Sequence, residues 1–360
     1  MAFSNKNPYN DLPLLPPVKD AYESIEILKH LTEARAILAE LKGRIPIIPN
    51  PLMLLNTLVL QEAKDSSTIE NIVTSSDRLF KAFSGSRVNL DGPTKEVLRY
   101  REAIWTSFNS LKKDHDFSDL LIQDIFSQIT ELGTDYRKKQ VYIGNEYIVT
   151  YTPPESGGVV LNKMQNWLNF ANGIEAVDPL IKMALLHYQF ESIHPFEDGN
   201  GRTGRILNVL FLCKAGLLDL PILYLSKYIL EYKSEYYRLL REVTEKQNWR
   251  DWILYMIEAV KQTAGFTLGK VNAIYDLFTA TRHRVRKEAK EIYTRELIEL
   301  IFSQPYCKIG TLEKFGIVSS RNTASKYLNR LQQMGILELE KEGRESLYRN
   351  VGLYRILSKE

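Results

Sequence analysis

The sequence predicts a mostly α-helical protein with one β-hairpin in its middle and a small C-terminal domain of helices and a two-stranded ribbon. Three observations carry this prediction. Apolar residues recur at helical spacing over most of the chain. The stretch QVYIGNEYIVTYTPP holds two short β-prone runs around Gly144-Asn145, closed by Pro153-Pro154, and is the one clear β signal before the C-terminus. Residues 291–360 follow a pattern of their own, helix, helix, helix, ribbon.

The elements follow in order. A proline-rich extended opening (Leu12 to Pro17) precedes an amphipathic stretch from about Lys19 to Leu41, with Ile25, Leu28, Leu31, Ile37 and Leu38 as its apolar stripe and Gly43 and Pro46 as its end. A second helical run starts after Pro51 and passes through Leu54, Leu58 and Leu60. It becomes DSSTIEN near Asp65, then resumes towards Phe83. A helical pair spans roughly Thr94 to Lys112 and Ser118 to Glu131. After the hairpin come helices at Asn162 to Phe170 and Pro179 to Glu191, the latter capped by Asp178 with proline at its first position. Another runs from about Arg202 to Lys214, stopped by Gly216. Helices at Ser234 to Thr244 and Trp249 to Gln262 precede a basic connector helix, Thr281 to Lys290. At the C-terminus a helix from about Thr294, a short helix near Thr311 to Phe315, a turn at Gly316 to Ser319 and a helix from Ser320 to Gln333 lead into ILELE and SLYRN, which flank the turn Lys341 to Arg344. That order is the one of a winged helix-turn-helix.

Composition narrows the function. Hydrophobic residues make up 44% of the 360-residue chain, enough for a sizeable core, and a net charge of +3 is too small to imply nucleic acid or membrane by itself. Cys213 and Cys307 lack the spacing of a metal site and read as reduced core thiols. MAFSNKNPYN lacks the basic and apolar regions of a signal peptide, and the longest apolar run, Ile206 to Cys213 apart from Asn208, is far short of the roughly 20 residues that span a membrane. A soluble, cytoplasmic protein is expected.

The chemistry concentrates in HPFEDGNGRTGR, His194 to Arg205. Gly199-Asn200-Gly201 before a helix offers unhindered backbone N–H groups at a positive dipole end, an anion site. Asn200 can add a side-chain donor. Arg202 and Arg205, three apart, supply two guanidinium forks suited to a polyphosphate. Asp198 at the edge of this nest suits Mg²⁺, which takes one or two carboxylates plus phosphate oxygens. His194 can accept a proton from an attacking hydroxyl, and Pro195 and Phe196 wall off solvent. Together these residues read as transfer of part of a nucleoside triphosphate to a hydroxyl, and the chain has no P-loop to make it a conventional P-loop NTPase.

This stretch resembles the signature of the Fic family, HPFx[DE]GNGRxxR, at every fixed position. Most Fic proteins transfer AMP from ATP to a Ser, Thr or Tyr hydroxyl of a target protein. The resemblance implies His194 as general base, Asp198 as Mg²⁺ ligand, Gly199, Asn200 and Gly201 as the phosphate cradle, Arg202 near the β-phosphate and Arg205 on the γ-phosphate. Thr203 and Gly204 belong to the same phosphate-binding turn. Doc kinases typically carry lysine where Gly201 stands and lack the last arginine, so Gly201 and Arg205 favour AMP transfer. The hairpin 140–152 occupies the place of the family's flap, on which a target segment adds as a strand; as an alternative it is a surface ribbon with no role. Tyr236 and Tyr237 match the tyrosines bordering the adenine pocket, although helical spacing makes one of them ordinary core.

DSSTIEN carries two readings. Ser67 to Glu70 fits a capping box at a helix start. Ser66, Glu70 and Asn71 also match the family's inhibitory motif, [ST]xxxE[GN], whose glutamate pairs with the second arginine of the signature, here Arg205, and denies it to the γ-phosphate. In some relatives the same glutamate positions a water that removes AMP, so a dual activity is open. The resemblance divides the chain into an N-terminal region (1–95) with an inhibitory helix near 65–72, a Fic core (96–265), the connector (266–290) and the winged helix (291–360), and implies a homodimer. The rival reading is a DNA-binding regulator, through Arg321, Lys326 and Arg330 on the recognition helix and Lys341 and Arg344 on the wing. Glu338, Glu340, Glu342 and Glu345 crowd that wing and weaken a DNA-binding face, and winged helices also serve as protein docking or dimerisation modules.

Overall fold

The computed structural model describes residues 4–48, 51–85, 90–144, 147–342 and 345–358, with the side chains of 51–56 set aside. The hairpin turn at Asn145, the ribbon turn with Arg344, the first three residues and the Leu54 side chain therefore lie outside the described residues.

The centre of the fold is a pair of helices that sequence periodicity alone describes poorly, because they are buried nearly all round, polar residues included. Helix α7 (Pro179–Ile193) and helix α8 (Asn200–Lys214) pack side by side. Thirteen of the fifteen residues of α7 are buried, including His187 and Gln189. Around this pair stand α4 (Gly92–Asp114), α5 (Asp119–Thr130), α6 (Gly158–Asn172) and α11 (Trp249–Glu288). Two indoles fix the depth of α7. Trp167 Nε1 donates to the Leu186 carbonyl at 2.9 Å and Trp252 Nε1 to the Ala184 carbonyl at 2.8 Å, so each large ring is buried without an orphaned N–H.

The N-terminal helices lie across this core. Helix α1 (Ile25–Arg44) runs against α11, and α2 (Pro51–Ile69) crosses α4 and the short α9 (Leu225–Glu231). The buried stripe of α1 is Ile27, Leu31, Ala34, Leu38 and Leu41, whereas Ile25 and Leu28 are exposed. The expected stripe was therefore out of phase at its first turn: Ser24 caps the helix through the Ile27 N–H and sets the rotation. Helices α3 (Ser76–Phe83) and α10 (Lys233–Lys246) complete this part. The hairpin is short, β1 (Ile143–Gly144) against β2 (Val149–Tyr151), antiparallel.

The connector is not a separate helix. Trp249 to Glu288 form one helix of 40 residues, about 60 Å long. The helix end expected at Gln262 is absent; Gly265 and Gly269 lie inside the helix, and the Gly265 face meets Ile37 of α1. The C-terminal domain then runs α12 (Arg295–Ser303), β3 (Tyr306–Cys307), α13 (Ile309–Lys314), α14 (Arg321–Gln333), β4 (Leu337–Glu342), β5 (Glu345–Asn350) and α15 (Val351–Ser358), with strand order β3-β5-β4. The strand β3 and the last helix α15 have no counterpart in the sequence reading. Among the described residues no helix is long and apolar enough to cross a membrane.

Continuity of α11 has a direct consequence. A Cβ at Gly269 meets nothing within 4 Å, so Gly269→Ala should stabilise the protein by about 0.5–1 kcal/mol. Denaturant titration reads this, and a break in the helix at that point predicts no gain.

Candidate active site

A cavity of about 460 Å³ opens where the ends of α2, α7 and α8 meet the hairpin and α10; Glu70, Glu191, His194, Gly201, Arg205, Tyr236 and Tyr237 are among its lining residues. The local sequence explains each position. Helix α7 ends at Ile193, and His194 takes a left-handed conformation (φ 51°) as its C-cap. The following loop is closed by Asn200, whose amide accepts from the Phe196 N–H and donates to the Phe196 carbonyl, both at 2.9 Å. Phe196 stacks on Phe126 at 4.0 Å, so the loop is bolted to α5. Arg137 fastens it from the other side: its Nε donates to the His194 carbonyl at 2.8 Å, and its backbone N–H donates to the Pro195 carbonyl at 2.8 Å.

His194 is half-buried, and its removal from water pushes its pKa down to about 4. It is neutral at pH 7. Its Nδ1 lies 3.3 Å from the Glu191 carbonyl, which can only accept, so Nδ1 carries the proton and Nε2 is left as the basic lone pair. This is the protonation state that a general base needs.

Arg205 is 1% exposed and is held by Ser66 of α2 and by Glu70 just beyond its end. Its Nε donates to Ser66 Oγ at 2.8 Å, and its Nη2 donates to the Ser66 carbonyl at 3.0 Å and to Glu70 Oε1 at 2.9 Å. Burial lowers the guanidinium pKa and the Glu70 carboxylate more than restores it. For Glu70 burial acts upward, but Arg205 holds its carboxyl below the ordinary value. Gly201 gives this pair its room, because a Cβ there would stand 2.4 Å from Glu70 Oε1. Ser67 to Glu70 lie at the end of α2, so the capping-box reading of this spacing is corrected: there is no helix start to cap. Asn71 follows at φ 64°, the left-handed position that asparagine tolerates, and is exposed.

Several sequence-assigned residues fall elsewhere. Arg202 does not line the cavity; it is 4% exposed, paired with Glu96 of α4 and, at 3.4 Å, with Asp198. Two forks were expected beside the glycines, and one reaches the cavity, because α4 supplies a carboxylate for the other. Asp198 lies outside the cavity lining, with a side chain 76% exposed. Thr203 is fully buried inside α8. Asn200 spends its amide on Phe196 rather than on an anion. Gly199 caps α8 at φ 71°. Gly204 faces α7: a Cβ there would stand 2.5 Å from Glu191 Oε1. Tyr236 is 2% exposed and its hydroxyl lies 2.9 Å from His187 Nε2, so it is core and cavity wall at once; Tyr237 is half-exposed on the same wall.

With this geometry in view, comparison with known proteins is informative. Residues 28–109 match the Fic/DOC family N-terminal domain, residues 114–212 the Fic/DOC family itself, and residues 277–353 the C-terminal domain of SoFic-like protein adenylyltransferases. The chain belongs to the Fic/DOC family. Over 133 residues it is 31% identical to the Protein adenylyltransferase Fic of Drosophila virilis and 30% identical to that of Aedes aegypti, covering 36% of this chain and 25% and 24% of those proteins. It thus spans about a quarter of the length of the curated relatives it matches. The fold is similar to that of a Fic family protein from Desulfovibrio desulfuricans G20 (TM-score 0.59, 19% identity, covering 94% of this chain and 98% of that one). It is also similar to Fic-1 from C. elegans (TM-score 0.52, 18% identity, 70% and 73% covered).

Two residues of this Fic/DOC site were missed in the sequence. Arg137 sits in a run of charge, DYRKK, with no pattern to mark it. Glu191 lies one helical turn before His194, and its spacing is that of a core position. It lines the cavity with Oε1 buried and without a hydrogen-bond partner. Burial pushes its carboxyl up to about 7, against the pull of Arg205. A folded-state pKa above the unfolded one means stability is lost as pH rises from about 4.5 to 7. Glu191→Gln should therefore melt like the parent near pH 4.5 and be more stable at pH 8, by on the order of 3 kcal/mol. Melting curves across that range check it; a pH-independent difference contradicts it.

Proposed function

We propose that the protein is an adenylyltransferase that moves AMP from ATP to a Ser, Thr or Tyr hydroxyl of a target protein, and that Glu70 holds it inhibited. The observation that carries this reading is a neutral His194 facing the same cavity as an Arg205 clamped by Glu70. The family match supports it. The target oxygen attacks the α-phosphorus, the bond from that phosphorus to the bridging oxygen breaks, and pyrophosphate leaves. His194 Nε2 takes the hydroxyl proton. Arg205 orients the γ-phosphate once Glu70 releases it, and the backbone N–H groups at the start of α8 face the remaining phosphates. An exposed carboxylate with one partner, an arginine at 3.4 Å, fits a Mg²⁺ site completed by phosphate oxygens, and Asp198 is the residue to hold it. Mg²⁺ bound there supplies neutralisation of phosphate charge.

The hairpin is the docking edge in this reading. The N-terminal segment already lies along β2: Asn5 Nδ2 donates to the Val149 carbonyl at 2.9 Å and the Tyr9 N–H to the Thr152 carbonyl at 3.1 Å. That leaves the outer edge of β1 for a target strand. Tyr151 ties the hairpin to the Ser192 carbonyl at 2.8 Å, two residues from the base. The DNA-binding alternative finds less support, because Arg330 donates to the Glu288 carbonyl and pairs with Glu291. The wing acids serve internal pairs as well. A cytoplasmic homodimer belongs to this proposal through the family resemblance, and the free Cys213 and Cys307 suit a reducing compartment.

Intact-mass measurement of AMP incorporation tests it. His194→Ala should lower the rate about 10²–10⁴-fold with ATP binding kept, and Asp198→Ala or EDTA should abolish transfer. Glu70→Gly should raise transfer roughly ten- to a hundredfold, the worth of a charge-assisted hydrogen bond. Glu70→Gly combined with Arg205→Ala should fall back. A folded Glu70→Gly protein with unchanged activity, or undiminished transfer in EDTA, contradicts the proposal.

A further inference from the structure

The inhibitory segment does not hold its position by itself. Glu70 is the first residue after α2, and only the five residues Asn71 to Ser75 separate it from α3. Both helices are fastened to the C-terminal domain. Before the segment, Gln61 Nε2 donates to the Leu357 carbonyl of α15 at 2.5 Å, and Lys270 of α11 reaches the same carbonyl at 3.3 Å. After it, the Tyr306 hydroxyl of β3 donates to Asp77 Oδ1 at 2.6 Å. Lys81 pairs with Asp77 at 3.0 Å, with Glu340 at 3.1 Å and with Glu342 at 3.5 Å. Phe80 meets Tyr354 edge-to-face at 5.9 Å, and Lys308 Nζ donates to the Gly85 carbonyl at 2.6 Å. A direct tie links the two helices, from Lys64 Nζ to Ser76 Oγ at 3.2 Å.

These contacts explain the crowd of acids on the wing. Glu340 and Glu342 face α3, while Glu338 and Glu340 also hold Arg349, at 2.7 and 3.0 Å, and Glu345 holds Lys308 at 2.9 Å. Glu340 and Glu342 thus place charge in the seam between the C-terminal domain and the helix that follows Glu70, and Glu338 and Glu345 serve pairs within that domain. The polar contacts there are individually modest, since Asp77 and Glu342 are partly exposed. Tyr306 is the exception. It is fully buried, and its hydroxyl has a carboxylate of the N-terminal region as its near partner.

We propose that the C-terminal domain is the clamp of the inhibitory segment, with Tyr306, Asp77 and Lys81 as positioning residues that keep Glu70 on Arg205. The proposal rests on the inhibited-adenylyltransferase reading. A short link between two helices, each fastened to one domain, leaves Glu70 little freedom while that domain stays seated. Loosening the seam frees α3, and with it the end of α2. Anything that engages the C-terminal domain and shifts β3 and β4 then raises activity from far along the sequence and from another domain in space.

The test is epistasis. AMP incorporation is measured by intact mass for the parent protein, Tyr306→Phe, Lys81→Met, Glu70→Gly, and each clamp variant combined with Glu70→Gly. The clamp predicts that Tyr306→Phe and Lys81→Met raise transfer about fivefold or more, the low end of coupling between sites. It also predicts that neither changes the rate once Glu70 is glycine. Amide exchange of residues 66–75 should quicken in Tyr306→Phe, while exchange of α7 and α8 stays as in the parent. Tyr306→Phe removes one hydroxyl from a packed ring, and Lys81→Met keeps the length of a surface side chain, so at least one variant stays folded. Activation by Glu70→Gly with none from either clamp variant overturns the clamp and leaves the inhibitory role of Glu70 standing. Equal activation in the Glu70→Gly background also overturns it, because the effect then bypasses Glu70. No activation by Glu70→Gly overturns both readings together.

Discussion

A single buried guanidinium organises this protein. Arg205 is placed by α8 at the bottom of a cavity with almost no exposure, and a buried cation must have its charge met. Two partners can meet it. One is internal, the Ser66 and Glu70 pair at the end of α2. In the proposed function the other is the terminal phosphate of a nucleotide. Because the same atoms would serve both, the internal partner and productive phosphate binding would exclude each other. The inhibition proposed above is then a consequence of how a buried charge must be satisfied.

That exclusion makes the position of α2 decisive, and much of the fold bears on it. Glu62, one turn earlier, accepts from the Ser226 N–H at 2.9 Å and from its hydroxyl, fixing α2 to the start of α9. Lys233 donates to the Ile69 carbonyl at 2.6 Å, where a cation suits the negative end of the helix. The C-terminal domain holds what comes before and after. The active loop is fixed separately, through Arg137, Asn200 and Phe196. His194 and its loop are thus held by their own contacts, while the place of Glu70 depends on the contacts of α2 and of the seam with the C-terminal domain.

The cavity also shows how α7 and α8 are matched. Glu191 carries an unpartnered buried oxygen, and the space for it exists because residue 204 has no side chain. Read in the signature alone, Gly204 looks like part of a phosphate cradle. In the folded protein it is the vacancy that a neighbouring helix needs for a carboxylate. A buried acid near Arg205 and Glu70 gives the cavity a charge that changes near neutral pH.

The sequence by itself determined the helical class, the hairpin, the three helices and ribbon of the last domain and the twelve-residue motif. It also pointed to Glu70 as the partner of Arg205. These are local properties: periodicity, caps, turn residues and a dense motif in which spacing alone brings the chemistry together. Tertiary structure decided what depends on residues far apart in the chain. Glu96 takes Arg202 out of the cavity, a partner 106 positions away that no local pattern announces. Asn200 turns to Phe196 because Phe126 fixes that ring. The break expected near residue 266 is absent, because packing of α11 on α1 outweighs the small cost of two glycines. Of the wing acids, which read as weakening a DNA-binding face, Glu340 and Glu342 sit against Lys81 of the N-terminal region, since a charge in a seam is settled by whichever opposite charge the fold brings there.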